Sequence, residues 1–268
     1  MKLNSQPIKL FLLLALGCSS LIANLTPVLA KSALQESGRS VKTANKTTSF
    51  QLPPLPPGPA PGGRARGGAR RNNPIDCPDQ SPELTALVPF TVEPTNDIAP
   101  VTNVWGLTTM EHPTFLFYLP YTNKTEFELQ DQNSKSVYTK EVTLKDRPGI
   151  ISVSLPENVP PLEVGKRYRW FLKVQCDSRE NSPPITVDGV IQRVNLSQAT
   201  TQKLERATPL EQFAIYAQNG IWYEAITTLA ALRQKNPDDQ ALQTEWEDLL
   251  ASFRYDDVAK QPILSESP

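Results

Sequence analysis

Histidine occurs once in these 268 residues and cysteine three times. Two lone cysteines without a CxxC pair or a neighbouring histidine cannot close a tetrahedral zinc site. No G-x-S-x-G elbow and no phosphate-cradling loop is present. Any Ser–His–acid triad would have to use His112, which follows Glu111 and precedes Pro113. A loop histidine bonded to backbone is the plainer expectation. No cofactor is expected. Charge of one sign is lacking too, with 27 basic side chains against 28 acidic ones. Losing Lys2 and Lys9 with a leader takes the 27 to 25 against the same 28. That balance is too near neutral to point to nucleic acid or an anionic membrane.

What is present begins with an export leader at 1–30. Lys2 and Lys9 precede the apolar stretch Leu10–Leu16, and Val28, Leu29 and Ala30 form a cleavage region. Pro27 interrupts the apolar run, which argues against a lasting span of ~20 apolar residues. Ala15-Leu16-Gly17-Cys18 resembles a lipoprotein processing box, with Ala where Leu is usual; cleavage after Ala30 is preferred to lipidation at Cys18. The expected destination is the periplasm, envelope or exterior. There, Cys77 and Cys176 are the two remaining thiols, and a disulfide is their simplest fate.

Many of the 26 prolines crowd one segment. Residues 31–76 read as a disordered Pro/Gly/Arg tether, polyproline-like first and flexible after. Arg64, Arg66, Arg70 and Arg71 have no interleaved aromatics, so a solvated spacer is preferred to a polyanion dock.

Within 77–196 the period becomes two. Phe127 and Leu129 alternate with Glu126, Glu128 and Gln130, and Ile151, Val153 and Leu155 alternate with serines. Tyr168, Trp170, Leu172, Val174 and Cys176 share one face of a longer strand, and Phe115–Leu119 is apolar on both faces. Asn133-Ser134-Lys135 separates two strands as a hairpin would. These short strands predict an antiparallel sandwich. Leu162, Gly165 and Tyr168 have the spacing of the tyrosine corner, so the block resembles immunoglobulin-like and fibronectin type III domains. Trp170 stands where antibody domains carry Cys.

From 197 to 253 the period is helical. Thr208-Pro209-Leu210-Glu211 is a capping box with Pro at the first helical position, and Asn219-Gly220 is a stop. Trp222, Ala225, Ile226, Leu229 and Leu232 form the stripe of a second helix; Leu242, Trp246, Leu249, Leu250 and Phe253 form that of a third. Tyr216, Gly220, Ala225 and Pro237 resemble one tetratricopeptide unit, although Phe213 and Leu232 stand where small residues are usual. One such unit cannot bury both its faces, so a helical hairpin docked on the sandwich is preferred to a peptide groove. Residues 254–268 lack a period and read as a flexible tail. The fold class is therefore a β-rich α+β chain: a sandwich followed by a short helical appendage.

Candidate chemistry is sparse. Asp76, Asp79, Glu93 and Asp97 lie in a Pro-interrupted stretch whose spacing fits no calcium loop. Asn45, Asn123 and Asn195 open N-x-Ser/Thr sequons. Glu111, His112, Tyr216, Trp222 and Tyr223 are the candidate interaction surface, and Trp105, Tyr118 and Tyr121 are a second candidate as a sugar platform. The stretches L-T-A-L-V-P, T-T-M-E-H-P-T-F-L-F-Y-L-P-Y, P-P-L-E-V-G-K-R-Y-R-W and A-T-P-L-E-Q-F-A-I-Y-A-Q-N-G-I-W-Y-E-A carry a resemblance over about Cys77 to Phe253. They resemble the cyanobacterial exported proteins catalogued as domain of unknown function 928, a family without an assigned activity. The resemblance implies an envelope or secreted protein and transfers no catalytic residue. The expected function is a non-enzymatic binding or scaffolding module for an envelope protein or glycan. The alternative is a carbohydrate-active or other hydrolase whose carboxylates are assembled by the fold.

Overall fold

Among the described residues ten strands and five helices form, and the alternating segments become two sheets. A computed structural model describes residues 48–67, 78–94, 100–144, 147–176 and 183–264. The leader, Cys18, Cys77, Asp76 and Asp97 lie outside the described residues. One sheet has the order β1 (Arg66–Gly67), β2 (Leu84–Ala86), β5 (Thr114–Leu119), β8 (Gly149–Ser154). The other runs β3 (Phe90–Glu93), β4 (Val101–Thr108), β10 (Ile185–Arg193), β9 (Arg167–Val174), β6 (Thr125–Gln130), β7 (Ser136–Val142). All neighbours are antiparallel except β4 and β10, which are parallel with Val190 opposite Trp105. The sandwich is therefore mixed rather than wholly antiparallel. A parallel partner needs a long crossover, a non-local pairing that alternation within one strand does not reveal.

Aromatic side chains join the sheets. Phe115 and Phe117 of β5 lie against Phe127 of β6 and Trp170 of β9, with ring centroids 4.9 to 6.3 Å apart. β9 alternates as expected: Tyr168, Trp170, Leu172 and Val174 are buried while Arg169 and Lys173 face outward. The Tyr168 hydroxyl accepts the Glu163 N–H at 3.2 Å, the bond that the Leu/Gly/Tyr spacing anticipates. Between β6 and β7, Asp131 Oδ1 accepts the N–H groups of Asn133 and Lys135, and Ser134 takes a positive φ of 61°.

The helices are α1 (Gln198–Arg206), α2 (Pro209–Gln218), α3 (Trp222–Lys235), α4 (Gln240–Ala251) and α5 (Asp256–Ala259). The capping box of α2 is complete, with Glu211 bonding back to Thr208. Asp239 caps α4 through the N–H groups of Ala241 and Leu242. α1, capped by Ser197, buries no side chain, which is why an apolar stripe does not announce it. Among the described residues no helix is long and apolar enough to cross a membrane.

One core runs through sheets and helices. The Trp222 indole N–H donates to the Leu87 carbonyl at 2.7 Å, and the Tyr223 ring packs on Phe115 at 5.1 Å. The Tyr255 hydroxyl donates to the Val88 carbonyl at 2.7 Å. Gly106 of β4 is what lets α3 in: a Cβ there would sit 3.0 Å from the Tyr223 ring and 3.4 Å from Trp222.

Two segments expected to be loose are laid down on this core. Over residues 48–67 the supposed disordered tether is a strap. Phe50 packs edge-on against Trp222 at 4.9 Å, and the Gln51 N–H donates to the Ala217 carbonyl at 2.9 Å. Gly220, at φ +71°, passes so close beneath it that a Cβ would lie 2.9 Å from the Gln51 carbonyl oxygen. Arg167 and Arg169 donate to the carbonyls of Pro57, Pro59 and Pro61. A polyproline stretch satisfies none of its own carbonyls, and the two arginines that do so lie about a hundred residues away in sequence. The expected flexible tail also docks through Leu264. Tyr255, Val258 and Ala259 are buried, and Ile150 of β8 exchanges hydrogen bonds with Pro262 and Leu264 at 2.8 Å. The helical part is thus larger than the expected hairpin.

A chain ending at Leu196 would lose Trp222, Tyr223 and Tyr255 from this core, side chains worth ~1.5–3 kcal/mol each when fully buried. It is expected to aggregate or to melt far below the full chain in a thermal scan. An unchanged melting temperature would mean that the helices only rest on the sheets.

Candidate functional site

The two residues that follow Trp222 into the fold set up the one buried carboxylate of the helical segment. Glu224 is 7% exposed. It occupies the first turn of α3, where the helix N-terminus favours negative charge. Its Oε1 accepts from the Thr108 hydroxyl (2.7 Å), the Thr109 N–H (2.7 Å), the Thr109 hydroxyl (3.1 Å) and the Met110 N–H (3.0 Å). All four donors come from the end of β4 and the turn after it. Arg193 holds that turn, donating to the carbonyls of Thr109 (3.3 Å) and Leu162 (2.8 Å) and pairing with Glu111 at 3.0 Å.

The second oxygen, Oε2, is buried and has no hydrogen-bond partner. A buried acceptor left bare costs about 1–3 kcal/mol, and Glu224 has no ion-pair partner among the described residues. Glu224 borders a cavity of about 250 Å³. His112, Tyr216, Tyr223, Thr227 and Thr228 share that border, and no Lys or Arg does. Burial raises the Tyr216 phenol, with Glu224 adding to the rise. Burial likewise pushes up the Tyr223 phenol, which lies toward the Trp170 indole N–H without hydrogen-bond geometry.

The expected interaction surface divides. His112, Tyr216 and Tyr223 meet at this cavity, with the His112 Nε2–H donating to the Val159 carbonyl at 2.9 Å. Glu111 stands outside it in the Arg193 ion pair, half exposed. Trp222 is wholly buried and belongs to the core, and Tyr223, although it lines the cavity, is only 2% exposed. The aromatic platform is corrected as well: Trp105, Tyr118 and Tyr121 are all buried. Their alternation within strands does not distinguish an outer face covered by helix from one open to water. Glu224 was the residue missed. Its trace in the sequence is the polar set Glu224, Thr227 and Thr228 at i, i+3 and i+4, one face of an otherwise apolar helix.

A second cleft, about 220 Å³, is lined by Arg66, Asp79, Glu83, Tyr121 and Asp257. Arg66 donates to both oxygens of Asp257 at 2.9 and 2.7 Å and to the Arg254 carbonyl at 2.8 Å. This fork ties β1 to α5. Of the four acids expected near here, Asp79 lines the cleft and Glu93 is exposed on β3. No group of three or more His, Cys, Asp or Glu side chains suited to a metal occurs among the described residues.

The chain belongs to the family described as Domain of Unknown Function (DUF928), whose model matches residues 66–263. The match begins at β1 and ends beside Leu264, so it takes in the docked tail as well as the sheets. No curated protein and no solved structure matches the chain.

The Arg66 fork holds Asp257 below the usual aspartate range, chiefly by the hydrogen bond it donates. A folded pKa below the unfolded one gives stability that is fully present above the unfolded value, about 3.9. It is lost as the pH falls through the folded pKa. Asp257→Asn should therefore be less stable than the parent at pH 7 by urea unfolding, and the gap should close below about pH 4. A gap independent of pH would show that the carboxylate's charge contributes nothing.

Proposed function

We propose that this protein is an exported, non-enzymatic binding module that takes a small ligand into the cleft between the end of β4 and helices α2 and α3. The observation that carries the reading is Glu224, a residue on the border of a 250 Å³ cavity with one oxygen held by four donors and the other buried without a partner. A carboxylate so fixed is preorganised for a partner, which lowers the ordering cost of binding. The same geometry favours binding over hydrolysis. Glycosidases flank the scissile bond with two carboxyl groups, whereas Glu224 is the only acid among the residues lining this cavity.

The scaffold reading is immunoglobulin-like. Support comes from the strand order β4-β10-β9-β6-β7 facing β2-β5-β8, together with the Tyr168 corner. The α2–α3 helix pair supports the tetratricopeptide likeness at the level of a single hairpin. Export rests on the leader at 1–30, and the envelope glycan or protein remains the proposed source of the ligand. A Cys77–Cys176 bridge belongs to the same proposal, and Cys176 just past β9, packed against the core, supports it. The loop it would close is long enough to contribute about 3–5 kcal/mol if unstrained.

Intact mass of envelope material tests destination and bridge together. The expected species begins at Lys31 and is two hydrogen masses lighter than after reduction. A chain retaining residues 1–30, a lipidated Cys18 or an unchanged mass on reduction would contradict it.

Native mass spectrometry of the protein recovered from its own envelope tests the cleft. A bound small-molecule mass is expected on the parent and absent from Thr228→Trp, which fills the cavity. The same bound mass on both would place the function elsewhere.

A further inference from the structure

Resting on the cleft reading above, we infer that the ligand group received beside Glu224 is a primary ammonium. The argument is one of charge and donor count. Glu224, itself 7% exposed, brings a carboxylate to the cavity, and no Lys or Arg lines it. A ligand cation completes the pair that the fold leaves open, and pairing is the condition on which buried charges are tolerated.

An ammonium carries three N–H donors and no acceptor. The cavity offers acceptors to match. Glu224 Oε2 has no partner, and the hydroxyls of Tyr216 and Thr228 make no hydrogen bond among the described residues. Thr227 donates its hydroxyl proton to the Tyr223 carbonyl at 2.6 Å and keeps its lone pairs as a further acceptor. Tyr216 and Tyr223 add aromatic rings to the lining. A divalent metal fits poorly. One carboxylate with hydroxyls falls short of the six to eight oxygens calcium takes, and no acid, His or Cys cluster is at hand among the described residues. A neutral polyol would satisfy the hydrogen bonds and leave the charge unpaired.

The test uses the full chain with two probes of equal length, n-butylammonium and n-butanol, titrated by calorimetry at pH 7. Butylammonium should bind at least ~10-fold more tightly than butanol, the weight of one charge-assisted hydrogen bond. Glu224→Gln, which keeps an acceptor for the β4 turn, should erase that preference. A readout on the parent alone guards against a misfolded variant: the amide resonances of Thr109 and Met110, which donate to Glu224, should shift with butylammonium and stay with butanol. Equal binding of both probes, or no binding of butylammonium, overturns the ammonium assignment. If the cleft-dependent native mass persists in that case, the cleft reading stands and only the ligand's charge is wrong; if that mass is also missing, both fall.

Discussion

The entry of Trp222 and Tyr223 at the seam between the two sheets is the constraint on which the rest depends. β4 belongs to one sheet and β5 to the other. The first turn of α3 reaches both, with Tyr223 on Phe115 and against Gly106. Burying two large rings where two sheets part removes apolar surface that neither sheet can cover alone. The position of the next residue follows: Glu224 is carried inward by its neighbours, and only the turned-in donors of Thr108, Thr109 and Met110 make that burial tolerable. The site is thus a consequence of how the helices close the sandwich. Its bare oxygen is the part that closure does not satisfy.

The same seam explains why the strap matters. Phe50 covers Trp222 from outside and also meets Phe253 at 5.9 Å, so three aromatic rings from distant parts of the sequence form one edge-to-face cluster. Farther along, the Val104 N–H donates to the Gly62 carbonyl, and Arg64 exchanges hydrogen bonds with Asp188 of β10. Asp188 is itself buried and is met by Arg169 at 2.5 Å. Burying an acid of this kind without a partner would be costly. Arg64 of the strap and Arg169 of the sheet therefore converge on one buried acid.

Local rules carried much of the sequence reading. Strand alternation placed the faces of β6, β8 and β9. The Thr208 capping box and the Asn219-Gly220 stop set helix ends because each is a short-range feature of the backbone and its nearest side chains. The bond from the Glu163 N–H to the Tyr168 hydroxyl was legible for the same reason. What escaped depends on partners far along the chain. β10 breaks alternation at Asp188-Gly189, where a Cβ on Gly189 would lie 2.5 Å from the Trp170 ring, so its pattern reads as neither strand nor helix. The strap's arginines and prolines look like a linker until Arg167 and Arg169 supply donors. Trp222 and Tyr223 look like surface aromatics until a sheet seam exists to receive them, and Glu224 reads as an N-terminal helix acid until it is seen to be buried.

Native-state hydrogen exchange tests most directly whether sheets and helices are one cooperative unit. The amides of Phe117 in β5, Leu172 in β9, Leu229 in α3 and Leu250 in α4 should open at a common, global free energy and respond alike to low denaturant. Protection of Leu229 and Leu250 that fails well below that of Phe117 and Leu172 would contradict the account, because the helices would then be leaving a sandwich that holds without them.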